Sequence, residues 1–91
     1  MNLNELLKTV NSKETFFQFV KALKEDKINE DEKEKMNPSS PYSSGANGWE
    51  NGTISSFIEA IEAYGEDSEL IKDEPSWKNF ALLLYAGKFY E

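Results

Sequence analysis

An all-α fold is predicted for this chain: a small single-domain bundle of three to four helices with one long irregular loop. Three observations predict it. Apolar side chains recur at intervals of three and four in three separate segments. Residues that cap helices stand at the head of each segment. Between two of them, "MNPSSPYSSGANG" (residues 36–48) is broken by two Pro, two Gly and four Ser and suits no regular element. With 91 residues, six Phe, four Tyr and two Trp, the chain has room for one core, spanning 1–91, and is too aromatic to be disordered.

The elements follow in order. "NLNELLKTV" is short; Asn4 is a candidate cap, Leu6, Leu7 and Val10 form an apolar side, and Thr9-Val10 would also suit a strand. In "NSKETFFQFVKALKEDKINE", Asn11 and Glu14 have capping-box spacing. Phe16, Phe17, Val20, Leu23 and Lys27-Ile28 then recur as a stripe that Phe19 widens. The alternating charges of "EDEKEK" (residues 30–35) are expected to carry this helix into solvent as a solvated face. The loop after it, about 36–52, has the length at which loops are functional or disordered.

In "NGTISSFIEAIEAYGED", Thr53 or Asn51 caps a helix, Ile54, Phe57, Ile58, Ile61 and Tyr64 share one face, and Gly65 is the expected stop. Glu59, Glu62 and Glu66 project from other faces. In "DEPSWKNFALLLYAGKFYE", Asp73 or Ser76 is the cap and Pro75 stands at the first turn. Trp77, Phe80, Ala81, Leu84 and Gly87-Lys88 make its stripe. Gly87 weakens the helix, so the close approach of another helix is expected there.

Composition excludes several chemistries. The chain has no Cys and no His, which removes disulfides, thiolate zinc sites, thiol nucleophiles and the usual general base. All ten basic residues are Lys, so no guanidinium fork is present to clamp a phosphate. A non-enzymatic protein without a cofactor is the expectation. No apolar run reaches the roughly 18–20 residues of a membrane span, and "MNLNELLKTVNSKE" has no signal-peptide pattern; a cytoplasmic location is expected.

Charge is uneven. Residues 1–44 hold seven Lys and eight acids, a net −1, and residues 45–91 hold three Lys and nine acids, a net −6. The second half repels nucleic acid and anionic lipid and permits a basic protein partner.

The candidate partner-binding residues are Tyr42, Trp49, Glu50, Glu59, Glu62, Glu66 and Asp67. Trp49 either folds back near Phe57 and shortens the loop or stands exposed beside Tyr42 as a docking aromatic. Glu50 and Asn51 suit the mouth of a helix, where they satisfy free N–H groups. A calcium loop fails: "DSELIKDEP" starts correctly at Asp67 and Glu69, but Ile71 and Lys72 occupy the next ligand and glycine positions. Glu59 and Glu62 are one turn apart, with no desolvation to make either a catalytic acid. Tyr90 is expected to close the bottom of the core with its hydroxyl in water.

Trp49-Glu50-Asn51, Phe57-x-x-Ala60 and Trp77-x-x-Phe80-Ala81-x-x-Leu84-x-Ala86-x-x-x-Tyr90-Glu91 together give a pattern of aromatic anchors and one acidic tripeptide. In these marks the chain resembles a family of small acidic bacterial proteins known only as a domain of unknown function, from roughly Phe16 to Glu91 apart from the loop. The resemblance implies a helical fold and nothing catalytic. In size and charge the chain is also similar to the immunity partners of secreted toxins.

A protein-interaction module whose acidic half binds a basic protein is therefore expected. The alternative is a small-ligand or regulatory domain, dimeric in one form, binding an apolar molecule in an aromatic-lined pocket between helices. An enzyme would require two acids buried together in a cleft.

Overall fold

Four short polar side chains decide where the helices begin. Asn2, Ser12, Thr53 and Ser76 each hold an extended backbone and accept a hydrogen bond from the amide three residues on, at 2.8, 3.2, 3.1 and 3.0 Å. Ser12 and Thr53 complete reciprocal boxes with Thr15 and Ser56. In the computed structural model, which describes residues 2–40, 43–71 and 74–90, these caps open α1 (Leu3–Thr9), α2 (Lys13–Met36), α3 (Ile54–Asp67) and α4 (Trp77–Phe89). No strand occurs among the described residues. The fold is all-α.

α4 is the central element, packing against α1, α2 and α3. Leu7, Val10, Phe16, Phe19, Leu23, Trp49 and Ala81 form the buried core. Small residues on α4 let the other helices come close. At Gly87 an added Cβ would stand 2.6 Å from the Phe57 ring, so α3 approaches through the space a side chain would fill. The close approach expected at this glycine is found. α2 and α3 make no backbone approach of their own among the described residues; α4 and Trp49 join them.

Several local expectations are corrected. The α1 cap is Asn2, not Asn4, and the α2 cap is Ser12, not Asn11. α3 passes through Gly65 and ends at Asp67, because Ser68 donates its N–H to Tyr64 and Gly65 keeps negative-φ backbone. Thr53, not Asn51, caps α3. The α2 stripe is rotated: Phe16, Phe19, Leu23 and Glu30 are buried, while Phe17 and Ile28 are exposed. On α3, Ala60 is buried and Ile54 and Ile58 face solvent. Ser76 is the α4 cap; Asp73, the alternative, lies outside the described residues.

Candidate functional site

The loop between α2 and α3 is held by three carboxylates on one face of α2. Asp26, Glu30 and Glu34 are four residues apart, so they stack along the helix. Glu30 is 4% exposed. Its Oε1 accepts the backbone N–H groups of Asn47 at 3.0 Å and Trp49 at 3.2 Å. Gly45 lies flat on this carboxylate, and a Cβ there would collide with it. Gly48, at φ 84°, takes the left-handed conformation that turns the chain back toward Trp49. Glu34 accepts from the Ser39 N–H and hydroxyl, both at 2.6 Å, and from the Ala46 N–H at 2.8 Å. These bonds, led by the Ser39 hydroxyl, hold its pKa below the ordinary carboxylate value.

The run expected to be a solvated face is therefore, at Glu30 and Glu34, the anchor of the loop. Its signal was present in the spacing: Phe16, Phe19, Leu23, Asp26 and Glu30 follow one another at three, four, three and four residues. The apolar stripe continues as a polar one.

Trp49 is the loop's other anchor. It is 7% exposed, stacks on Phe57 with ring centroids 6.2 Å apart, and donates Nε1–H to Asp26 Oδ2 at 2.8 Å. Lys88 reaches the same Asp26 oxygen at 2.9 Å and lies 5.6 Å from the indole centroid; Lys27 lies 5.8 Å from it. The reading in which Trp49 folds back near Phe57 describes its position; it does not stand out as a docking aromatic. Tyr42, expected beside it, lies outside the described residues. Asn51 does not serve the N-terminus of α3. It donates from Nδ2 to the carbonyls of Gly87 at 3.1 Å and Tyr90 at 3.0 Å, closing the end of α4. The backbone N–H groups of Glu50 and Asn51 both donate to the Lys88 carbonyl.

The remaining candidates come together on the outer side of α3. Glu59, Glu62 and Glu66 fall at i, i+3 and i+7 and are exposed, as is Glu50. Ile54 and Ile58, 80% and 57% exposed, border this acidic stripe. Asp67 is turned toward α4's end, where it accepts the Tyr90 hydroxyl at 3.0 Å and raises that phenol's pKa. Tyr90 thus packs edge-on against Tyr64 with its hydroxyl bonded to protein instead of left in water. From residue 36 to residue 71 there are six acids, Glu50, Glu59, Glu62, Glu66, Asp67 and Glu69, and no Lys. Among the described residues the ion pairs are Lys27–Asp31 and Lys88–Asp26, so the α3 acids are uncompensated.

Concavities flank this frame, among them one of about 280 Å³ lined by Asn51, Ser56, Glu59, Ala60, Ala63 and Tyr90. A polar cleft of about 590 Å³ between the start of α1, α2 and the end of α4 is lined by Asn2, Asn4, Asp26, Asn29, Tyr85 and Lys88, among others. A smaller hollow of about 220 Å³, almost wholly apolar, opens between Trp49, Phe57, Ile54 and Thr53. Among the described residues no cluster of acids is arranged to hold a metal ion, and no helix is long and apolar enough to cross a membrane.

The model of a family of unknown function, DUF7660, matches residues 12–91. No curated protein and no solved structure matches the chain.

Proposed function

The chain belongs to this family of unknown function, and we propose that it is a non-enzymatic protein-interaction module whose acidic α3 face binds a basic protein. One observation carries the reading: Glu59, Glu62 and Glu66 form an exposed stripe with no ion-pair partner among the described residues, bordered by exposed Ile54 and Ile58. Acids spaced one turn apart repel each other in the free protein, and a cationic surface relieves that repulsion. Large exposed aliphatics at the border supply contact area that water gives up readily. The carboxylates under the loop support the non-enzymatic part. Asp26 is occupied by Trp49 and Lys88, and Glu30 by two backbone amides, so both are engaged in holding the loop. A basic toxin neutralised in the cytoplasm is the narrowest form of this proposal.

The test is capture from the source lysate at low and high ionic strength, with the wild-type chain beside a Glu59→Lys/Glu62→Lys/Glu66→Lys variant. A basic protein retained at low salt, released at high salt and lost by the variant is the expected result. Recovery of nothing specific, or equal recovery by the variant, sinks the reading.

The polar cleft favours a second reading, a small polar ligand held beside Asn4, Glu25 and Tyr85. Titration with a metabolite mixture followed by amide shifts of Asn2, Asn29 and Tyr85 tests it.

A further inference from the structure

The hollow beside α3 gives the interaction face an anchor point. We infer that the partner presents a lysine- or arginine-rich amphipathic segment, one large apolar side chain of which inserts between Trp49, Phe57 and Ile54 while its cations meet Glu59 and Glu62. The inference rests on the acidic-face reading and adds to it the place and chemistry of contact.

The hollow, at about 220 Å³, has the size of a single large side chain and not of a drug-sized ligand, for which pockets of roughly 300–1,000 Å³ are usual. Two of its walls are held in place. Trp49 is fixed by its Nε1 bond to Asp26 and by the stack on Phe57, and Phe57 is pressed into the Gly87 gap. A preformed pocket costs little ordering on binding, which is where anchor residues give most affinity. Thr53 and Ser56 complete the reciprocal cap of α3, so the backbone at the mouth is satisfied without a ligand. Lys27 stands at the rim, and its charge is met by Asp31.

Charge complementarity selects the occupant. Ile54 and Ile58 lead from the hollow along α3 to Glu62, Glu59 lies farther round the helix in the neighbouring concavity, and no cation among the described residues pairs with either. An acidic partner would meet repulsion along the same track, and an uncharged apolar one would leave the acids facing nothing. An apolar anchor flanked by cations satisfies both surfaces.

The probe is a synthetic Lys-rich amphipathic peptide of about 18 residues, long enough to form helix on the surface, with a single central Phe on an Ala face. Binding is followed by amide and indole N–H shifts of the full chain. Shifts at Gly52, Thr53, Ile54 and the Trp49 indole, with affinity lost about tenfold or more on Phe→Ala in the peptide or Ile54→Glu in the protein, are expected. Ile54 is exposed, so I54E leaves the fold intact, as an unchanged Trp49 indole resonance in the free variant would show. Binding that weakens with Glu59→Lys/Glu62→Lys but ignores both anchor changes overturns the anchor and leaves the acidic face standing. Binding indifferent to the charge reversal overturns the acidic face itself. No binding at millimolar peptide overturns the anchor outright.

Discussion

At the scale of single residues, buried polar atoms decide more than apolar ones. Glu30 satisfies two amides, that of Trp49 buried and that of Asn47 partly buried, so Glu30→Ala leaves both N–H groups without this acceptor. A loss of about 2 kcal/mol is expected in urea unfolding, the cost of orphaned buried donors. In a Trp77→Phe background the same change should expose Trp49 to acrylamide, which the parent resists. Gly87→Ala tests two opposed effects. Alanine gains about 1 kcal/mol of helix propensity over glycine, whereas forcing a methyl into a packed interface costs about 1–3 kcal/mol. The Phe57 ring, 2.6 to 2.9 Å from the added Cβ, is rigid and backed by Trp49. Overpacking wins, and thermal melts should show net destabilisation.

The sequence made helix number and order legible, because periodicity survives errors of one residue. It did not make legible which way α2 faces. Phe17 and Ile28 have the right chemistry for a core and lie exposed, while Glu30 has the wrong chemistry and lies buried. Hydrophobicity ranks side chains singly; the burial of Glu30 depends on amides contributed by residues 47 and 49, distant in sequence. Trp49's position was legible in part, since a domain this small seldom leaves a tryptophan unused. The acidic stripe on α3 was legible outright, being set by helical spacing alone.

At the scale of elements, the α2–α3 loop and the end of α4 each carry a titratable fastening. Glu34's folded pKa lies below its ordinary 4.5 because Ser39 and Ala46 bond the ionised form. Its contribution is therefore present above pH 4.5 and disappears as pH falls through the lowered value. Amide shifts of Ser39 and Ala46 should report this transition, and Glu34→Gln should abolish it. Tyr90 behaves oppositely. Its bond to Asp67 favours the neutral phenol, so its contribution is present below the ordinary pKa of 10.0 and is lost as pH rises through the raised value. Ultraviolet phenolate titration should show Tyr90 titrating late, and Asp67→Asn should bring it down.

At the scale of the whole molecule, a net charge of −7 acts on folding and on association with contrary signs. The acids between residues 36 and 71 repel one another in the folded chain, so added salt should raise the melting temperature modestly. The same salt should weaken a basic partner's hold. Thermal melts and binding isotherms across one salt series check both, and only an acidic surface used for binding gives the crossed pattern.

The knot of bonds at the end of α4 has a consequence for how the protein comes into being. Lys88 serves Asp26, Glu50 and Asn51, while Gly87 and Tyr90 receive the Asn51 side chain. A nascent chain still lacking residues 86–90 can wind α2 and α3 and bond the loop to Asp26, Glu30 and Glu34, but has nothing to hold residues 50 and 51. Trp49 then has its α2 and α3 partners but lacks the Lys88 side of its cover until α4 emerges, and in that interval the loop is least secured.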